Sequence, residues 1–181
     1  MRSIFVVLPI AFLALPVAAN APSPYAGERD RAVKALSAAE IDDLRQGRGM
    51  GLARAAELNS YPGPAHVLEL KGELTLTPQQ IERTEALRQK MSAEAKALGD
   101  TILQREAALD LLFREGKATE TLVREVSTEI GVLQGKLRAV HLNTHIAMKA
   151  LLSTEQVTAY DRLRGYSRSD AAPAGHGGHK H

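Results

Sequence analysis

From Ile81 to Leu112 the apolar residues Ile81, Leu87, Met91, Ala95, Leu98, Ile102, Leu109 and Leu112 recur in register with a helical turn, and Glu, Arg, Lys and Gln fill most positions between them. At 3.6 residues per turn such a series gathers on one face, so the spacing predicts one long helix. Its start is written in Thr77-Pro78-Gln79-Gln80. The Thr hydroxyl can accept a free backbone N–H, Pro suits the first turn where no N–H is needed, and Gln at the third position can reach back to the cap. The predicted helix runs to about Glu115 and stops at Gly116, a length of roughly 55 Å.

After Gly116 the pattern restarts. Thr119 caps a second run in which Leu122, Val126, Ile130, Leu133, Leu137, Val140, Ala147 and Leu151 keep the same register. The connection is short, which makes the two long helices antiparallel neighbours in a hairpin. Gly131 and Gly135 stand four apart on the second helix. Each costs up to about 1 kcal/mol of helix propensity, so the pair predicts a close helix approach. Ser153-Thr154-Glu155-Gln156 is a further capping box, opening a last helix to about Arg164 that Gly165 ends.

The chain ahead of the hairpin is more broken. Pro22 to Arg31 reads as irregular, and Ser37-Ala38-Ala39-Glu40 is a capping box for a short helix to about Arg45, ended by Gly47 and Gly49. A second short helix is expected over Met50–Asn59, then a turn at Tyr61-Pro62-Gly63-Pro64, then a third over Ala65–Lys71. The expected architecture is all-α: short helices over 22–63 and a helical hairpin domain over 64–166. A lone hairpin leaves one face of each long helix uncovered. Either the short helices fold back over it or two chains pair, and twofold pairing into a homodimer is the commonest solution.

Composition fits this picture. The 181 residues include no Trp and only 3 Phe, so the core must be built from Leu, Ile, Val, Met and Ala, which suits helix packing. A formal charge of +2 gives no reason to expect nucleic acid as a partner. With no Cys, neither a disulfide nor a thiolate ligand is available.

The two ends add a compartment. Arg2, the apolar run from Ile4 to Leu15 and the small-residue site Ala19-Asn20-Ala21 read as a secretory signal peptide over 1–21, cleaved near Ala21. The run is short for a membrane span. The expected location is the periplasm. Residues 167–181 are rich in Gly, Ala, Pro and Ser and read as a disordered tail, whose His176, His179 and His181 can bind divalent metals loosely.

Candidate chemistry centres on His141-Leu142-Asn143-Thr144-His145-Ile146-Ala147-Met148. Histidines four apart share a helix face, with Cβ atoms about 6 Å apart, so two imidazoles can reach one ion. The imidazole pair suits Zn, and a thioether from Met148 would favour Cu, Ni or Co over Mg or Ca. Two such ligands need others, and His66 with Glu69, also on one helical face, could supply them. The same residues read equally as polar positions flanking the Val140–Ala147 seam, with Met148 filling the core. Catalysis is not expected: there is no Cys nucleophile, no G-x-S-x-G and no phosphate-binding loop, and nothing calls for an organic cofactor. Asp42-Asp43 reads as an exposed acidic pair and 47–51 as a Gly-rich hinge.

Leu76-Thr77-Pro78-Gln79-Gln80 matches L-T-x-x-Q, and Leu152-Ser153-Thr154-Glu155-Gln156 matches it with Ser for Thr. Both open helices and together they flank the hairpin. Over about Pro64–Tyr166 the chain resembles the LTxxQ superfamily of small periplasmic helical proteins, with its Spy/CpxP-type stress chaperones and ZraP/CnrX-type heavy-metal-binding and sensing proteins. The resemblance implies a hairpin paired into a curved dimer. It also implies either a concave face for unfolded clients or metal sites made by His, Glu and Met, read out through a membrane-anchored signalling partner. In metal-sensing members a His-x-x-x-(His or Met) set precedes the second motif, which would assign His141, His145 and Met148. A His and a carboxylate ahead of the hairpin would assign His66 and Glu69. Two functions follow as expectations: a metal-binding or metal-responsive stress protein, or an ATP-independent chaperone and envelope-stress modulator. Ser37–Tyr61 has no counterpart in the chaperone pattern.

Overall fold

The structure, a computed structural model, describes residues 22–167; the expected signal peptide and the tail histidines His176, His179 and His181 lie outside the described residues. Residues up to Asp30 form a small unit of their own, whose described part holds a single 3-10 turn at Ala26–Glu28. From Arg31 onward the described residues form a second unit whose regular elements are all helices: α1 (Ala38–Gln46), α2 (Arg54–Glu57), α3 (Pro64–Glu69), α4 (Pro78–Arg114), α5 (Glu120–Leu151) and α6 (Thr154–Leu163). Among the described residues, no helix is long and apolar enough to cross a membrane.

The capping signals act as expected. Ser37, Thr77 and Ser153 each accept from the backbone N–H three residues on, and Glu40, Gln80 and Gln156 each return a side-chain oxygen to the cap. Thr119 caps α5. Helices α4 and α5, of 37 and 32 residues, form the antiparallel hairpin. The second short helix is the exception to the expected pattern. Only Arg54–Glu57 is α-helical, because Met50 and Gly51 take left-handed backbone angles (φ 45° and 76°) that a right-handed helix does not admit.

The short helices fold back over the hairpin. α1 lies on α4, α2 on α5, and α3 against both. The α1–α4 approach is made by Gly99, where a β-carbon would stand 2.2 Å from the carbonyl oxygen of Leu44. Gly131 and Gly135, from which a close approach was expected, are exposed, with nothing within 4 Å of a β-carbon at either position.

Two apolar clusters hold this unit together. The first joins Leu44 of α1 to Ala95, Ile102 and Leu103 of α4 and Leu137 of α5. The second joins Val67 of α3, Leu74, Met148 of α5 and Tyr160 of α6. Burial of a single side chain of this size stabilises by about 1.5–3 kcal/mol. Lys34 reaches Asp110 at 3.5 Å. Beyond that point Leu111, Phe113 and Leu122 at the turn of the hairpin are exposed.

Candidate functional site

Along α5 the residues buried in turn are Ile130, Leu137, His141, Thr144, His145 and Met148. The two histidines therefore lie on the buried stripe itself, between the two apolar clusters, and do not flank it. Polar residues at core positions need partners. Thr144 finds one locally, donating its hydroxyl proton to the Val140 carbonyl at 2.8 Å. His145 finds one in the segment that covers α5: its Nδ1 lies 2.7 Å from the carbonyl oxygen of Tyr61. A carbonyl only accepts, so Nδ1 carries the hydrogen, and in the neutral ring the lone pair sits on Nε2. His141 finds none: its Nε2 is buried with no hydrogen-bond partner. Burial holds the His141 imidazole below its ordinary value of 6.5, and the neighbouring charge of His145 adds to the effect. The ring is thereby kept in the neutral form that binds metals.

The carboxylate of this region is Glu57, on α2. Its Oε1 accepts from the Tyr160 hydroxyl and stands 3.8 Å from Arg164 Nε, while its Oε2 stands 3.6 Å from His145 Nδ1. Its side chain is 14% exposed. Burial, and then the bond to Glu57, push the Tyr160 hydroxyl far above its ordinary value. Gly63 closes one side: a β-carbon there would come within 2.9 Å of His145 Cε1. Glu57, His66, His141, His145, Arg164 and Tyr166 all line one cavity of about 550 Å³.

The expected ligand set is only partly assembled. His66 reaches the rim of this cavity, but its Nδ1 is engaged with Glu69 at 2.9 Å. That hydrogen bond holds the Glu69 carboxyl below its usual range; Glu69 itself is exposed and does not line the cavity. Met148 is fully buried in the second apolar cluster against Val67, Leu74 and Tyr160, where it fills the core. Among the described residues, no three His, Cys, Asp or Glu side chains are gathered closely enough to hold a metal ion between them. The folded region thus offers two inward imidazoles and a nearby carboxylate.

Sequence reasoning missed Glu57, Tyr61, Tyr160 and Arg164. Glu57 gives no local signal, because its partners lie about a hundred residues away in the chain. The tyrosines offered one. In a chain with 4 Tyr and no Trp, Tyr61, Tyr160 and Tyr166 all fall beside helix ends, where a buried phenol needs a partner.

The motif residues play structural parts. Leu76 and Leu152 pack on the second cluster, and Thr77 and Ser153 are caps. Gln80 and Gln156 bond each other's side chains. Asp42 and Asp43 both bind the Arg48 side chain within the Gly-rich link. Compared with known proteins, the chain matches no family model, no curated protein and no solved structure.

Proposed function

We propose that this protein is a metal-binding, metal-responsive stress protein of the periplasm, taking a divalent transition metal at the histidine-lined cavity. The observation that carries this reading is the pair His141 and His145: the first keeps a buried Nε2 with no partner, and the second has its Nδ1 tied to a backbone carbonyl. A carbonyl on the far ring nitrogen is the usual support of a metal-binding histidine, because it fixes the ring and its tautomer. Glu57 stands 3.6 Å from the same Nδ1 and supports the ring from that side. Two imidazole nitrogens without a thioether suit Zn, Ni, Co or Cu(II). A metal would satisfy the orphaned Nε2, which otherwise costs about 1–3 kcal/mol as an unmade hydrogen bond.

The signal peptide read from residues 1–21 supports the periplasmic placement. The likeness of Leu76–Gln80 and Leu152–Gln156 to LTxxQ motifs supports a homodimer and a membrane-anchored signalling partner. The test is calorimetric titration of Zn(II), Ni(II), Co(II) and Cu(II) into the wild-type chain and its His141→Ala/His145→Ala variant. Binding at micromolar concentration or tighter, lost or weakened in the variant, is the expected result. Equal binding by both chains would reject the reading.

A second reading rests on a different observation. Phe113 is 61% exposed, with Leu111 and Leu122 also open at the hairpin turn. Exposed apolar groups of this kind suit an ATP-independent chaperone for unfolded clients. Suppression of client aggregation without metal, weakened by Phe113→Ser, is its test.

A further inference from the structure

The cavity beside His141 and His145 is larger than a metal ion needs. It encloses about 550 Å³. An ion with a few waters fills roughly 100 Å³, at about 30 Å³ for each water. A volume several times that size is typical of a site for a small organic molecule. The donor set is also short for a bare ion. Among the described residues no three His, Cys, Asp or Glu side chains come together, so two imidazoles leave half the positions of a four-coordinate ion to outside donors.

Two arginines line the same cavity. Arg164 Nε is buried with no hydrogen-bond partner, and Glu57 Oε1, at 3.8 Å, is beyond hydrogen-bond reach of it. Arg54 is exposed at the rim and makes no side-chain hydrogen bond or ion pair among the described residues. A guanidinium presents its N–H groups in a fork that matches a carboxylate. Charge points the same way. A divalent ion beside Arg54 and Arg164 meets like charge, and Glu57, the one carboxylate among the lining residues, is already engaged by the Tyr160 hydroxyl. Much of the remaining wall is apolar, with Met50, Leu58, Pro64 and Met91, and suits a carbon skeleton.

We infer that the cavity takes its metal together with a small organic acid bearing two or more carboxylates. His141 and His145 hold the ion, one carboxylate of the acid completes the ion's ligands, and another is bound by Arg54 and Arg164. This inference rests on the metal reading of the cavity. Hydroxy acids such as citrate and malate, and acidic amino acids such as aspartate, share this chemistry: each chelates a divalent metal and carries a further negative charge for an arginine.

The test is equilibrium dialysis of the full chain against Zn(II) and radiolabelled citrate, malate or aspartate, each alone and in pairs of metal and acid. In free solution these acids compete for zinc, so a site for the bare ion must retain less zinc when they are added. The expected result is the reverse for at least one of them, with one acid taken up for each ion by the wild-type chain. Affinity for the acid should fall by about 10- to 100-fold in Arg54→Gln/Arg164→Gln, where charge-assisted hydrogen bonds are lost. His141→Gln/His145→Gln should retain neither zinc nor acid. Circular dichroism checks the helices of each variant, and Arg54→Gln alone, at an exposed position with no ion pair to lose, serves if the Arg164 change unfolds the chain. Co(II) in place of Zn(II) gives a separate readout. Its visible bands in the wild-type chain should shift on adding the acid, and the arginine variant should need more acid for the same shift.

Zinc binding that all three acids weaken, with no acid retained by the chain, overturns this inference and leaves the metal reading standing. Equal acid uptake by wild type and the arginine variants does the same. Acid retained without zinc, by wild type and the histidine variant alike, marks a carboxylate site independent of the metal and also overturns it. No zinc retained by wild type, with or without acid, overturns both.

Discussion

The side-chain amides of Gln80 and Gln156 hydrogen-bond each other in both directions, at 2.8 and 3.1 Å. Each oxygen also accepts from the backbone N–H of its own cap, Thr77 at 3.0 Å and Ser153 at 2.9 Å. Each amide nitrogen also donates across the fold, Gln80 to the Leu151 carbonyl and Gln156 to the Leu74 carbonyl. Two capping boxes that would each serve one helix are thereby joined into one clasp. It ties the start of α4 to the end of α5 and the start of α6. The chemistry explains Gln at this position: Glu would still cap its helix but has no N–H to give.

Glutamine-to-glutamate exchange at either position should therefore keep the cap and break the clasp. The expected loss is about 1–3 kcal/mol, because carbonyl and amide partners inside a half-buried network are left unpaired. Gln80→Ala, Gln156→Ala and the double variant should show a coupling of at least about 0.5 kcal/mol in urea unfolding. Additive losses would show that the two boxes act separately.

Glycines on the two long helices should respond in opposite directions. Gly99→Ala places a methyl against the Leu44 backbone, which cannot move aside as a flexible side chain would. α1 must shift from α4, at a cost of about 1–3 kcal/mol. Gly131→Ala and Gly135→Ala meet nothing within 4 Å and remove glycines from a helix interior, so each should stabilise by up to about 1 kcal/mol. Thermal unfolding of the three variants checks this. Destabilisation at Gly131 or Gly135 that grows with protein concentration would place a second copy of the chain against that face.

The boundaries of the long helices were legible because their causes are local: a cap, a Pro in the first turn, an apolar register and a Gly at the end. The course of residues 50–59 was not, because left-handed angles at Met50 and Gly51 depend on how the link crosses α5. The histidines show the same limit. Their i, i+4 spacing was visible, but whether a histidine is flank or core depends on what covers it, and the Tyr61 carbonyl and Glu57 come from a segment some eighty residues away. Glu69 was singled out because it shares a helix face with His66, and Glu57 gave no such local signal. That local relation is real, and it engages the pair with each other at the cavity's rim.

His141 predicts a pH dependence. Burial depresses its folded pKa below the unfolded value of 6.5, so between the two values the unfolded chain binds more protons. The stability from this group is fully present above 6.5 and is lost as pH falls through the folded value. The charged or titratable groups around it in the cavity are His145, His66, Glu57, Arg54, Arg164 and Tyr166. Urea midpoints of metal-free protein at about pH 7.5 and about pH 5.5 should fall more in wild type than in His141→Asn. Zn(II) affinity should fall over the same interval, because protons compete for the imidazoles. An equal fall in both midpoints would remove His141 as the source.

Tyr160 gives the last prediction and the most direct view of the Glu57 hub. Its ring is fully buried, its hydroxyl donates to Glu57, and both facts oppose ionisation. In an alkaline titration followed by tyrosinate absorbance, one phenol should stay protonated until the protein unfolds. Tyr160→Phe should then titrate like wild type below the unfolding pH and lack the late step. The same variant leaves Glu57 with Arg164 and His145 alone, at 3.8 and 3.6 Å, and should lose about 1–3 kcal/mol. A Tyr160 that titrates with the exposed phenols would mean that the hydroxyl is open to water and is not held by Glu57.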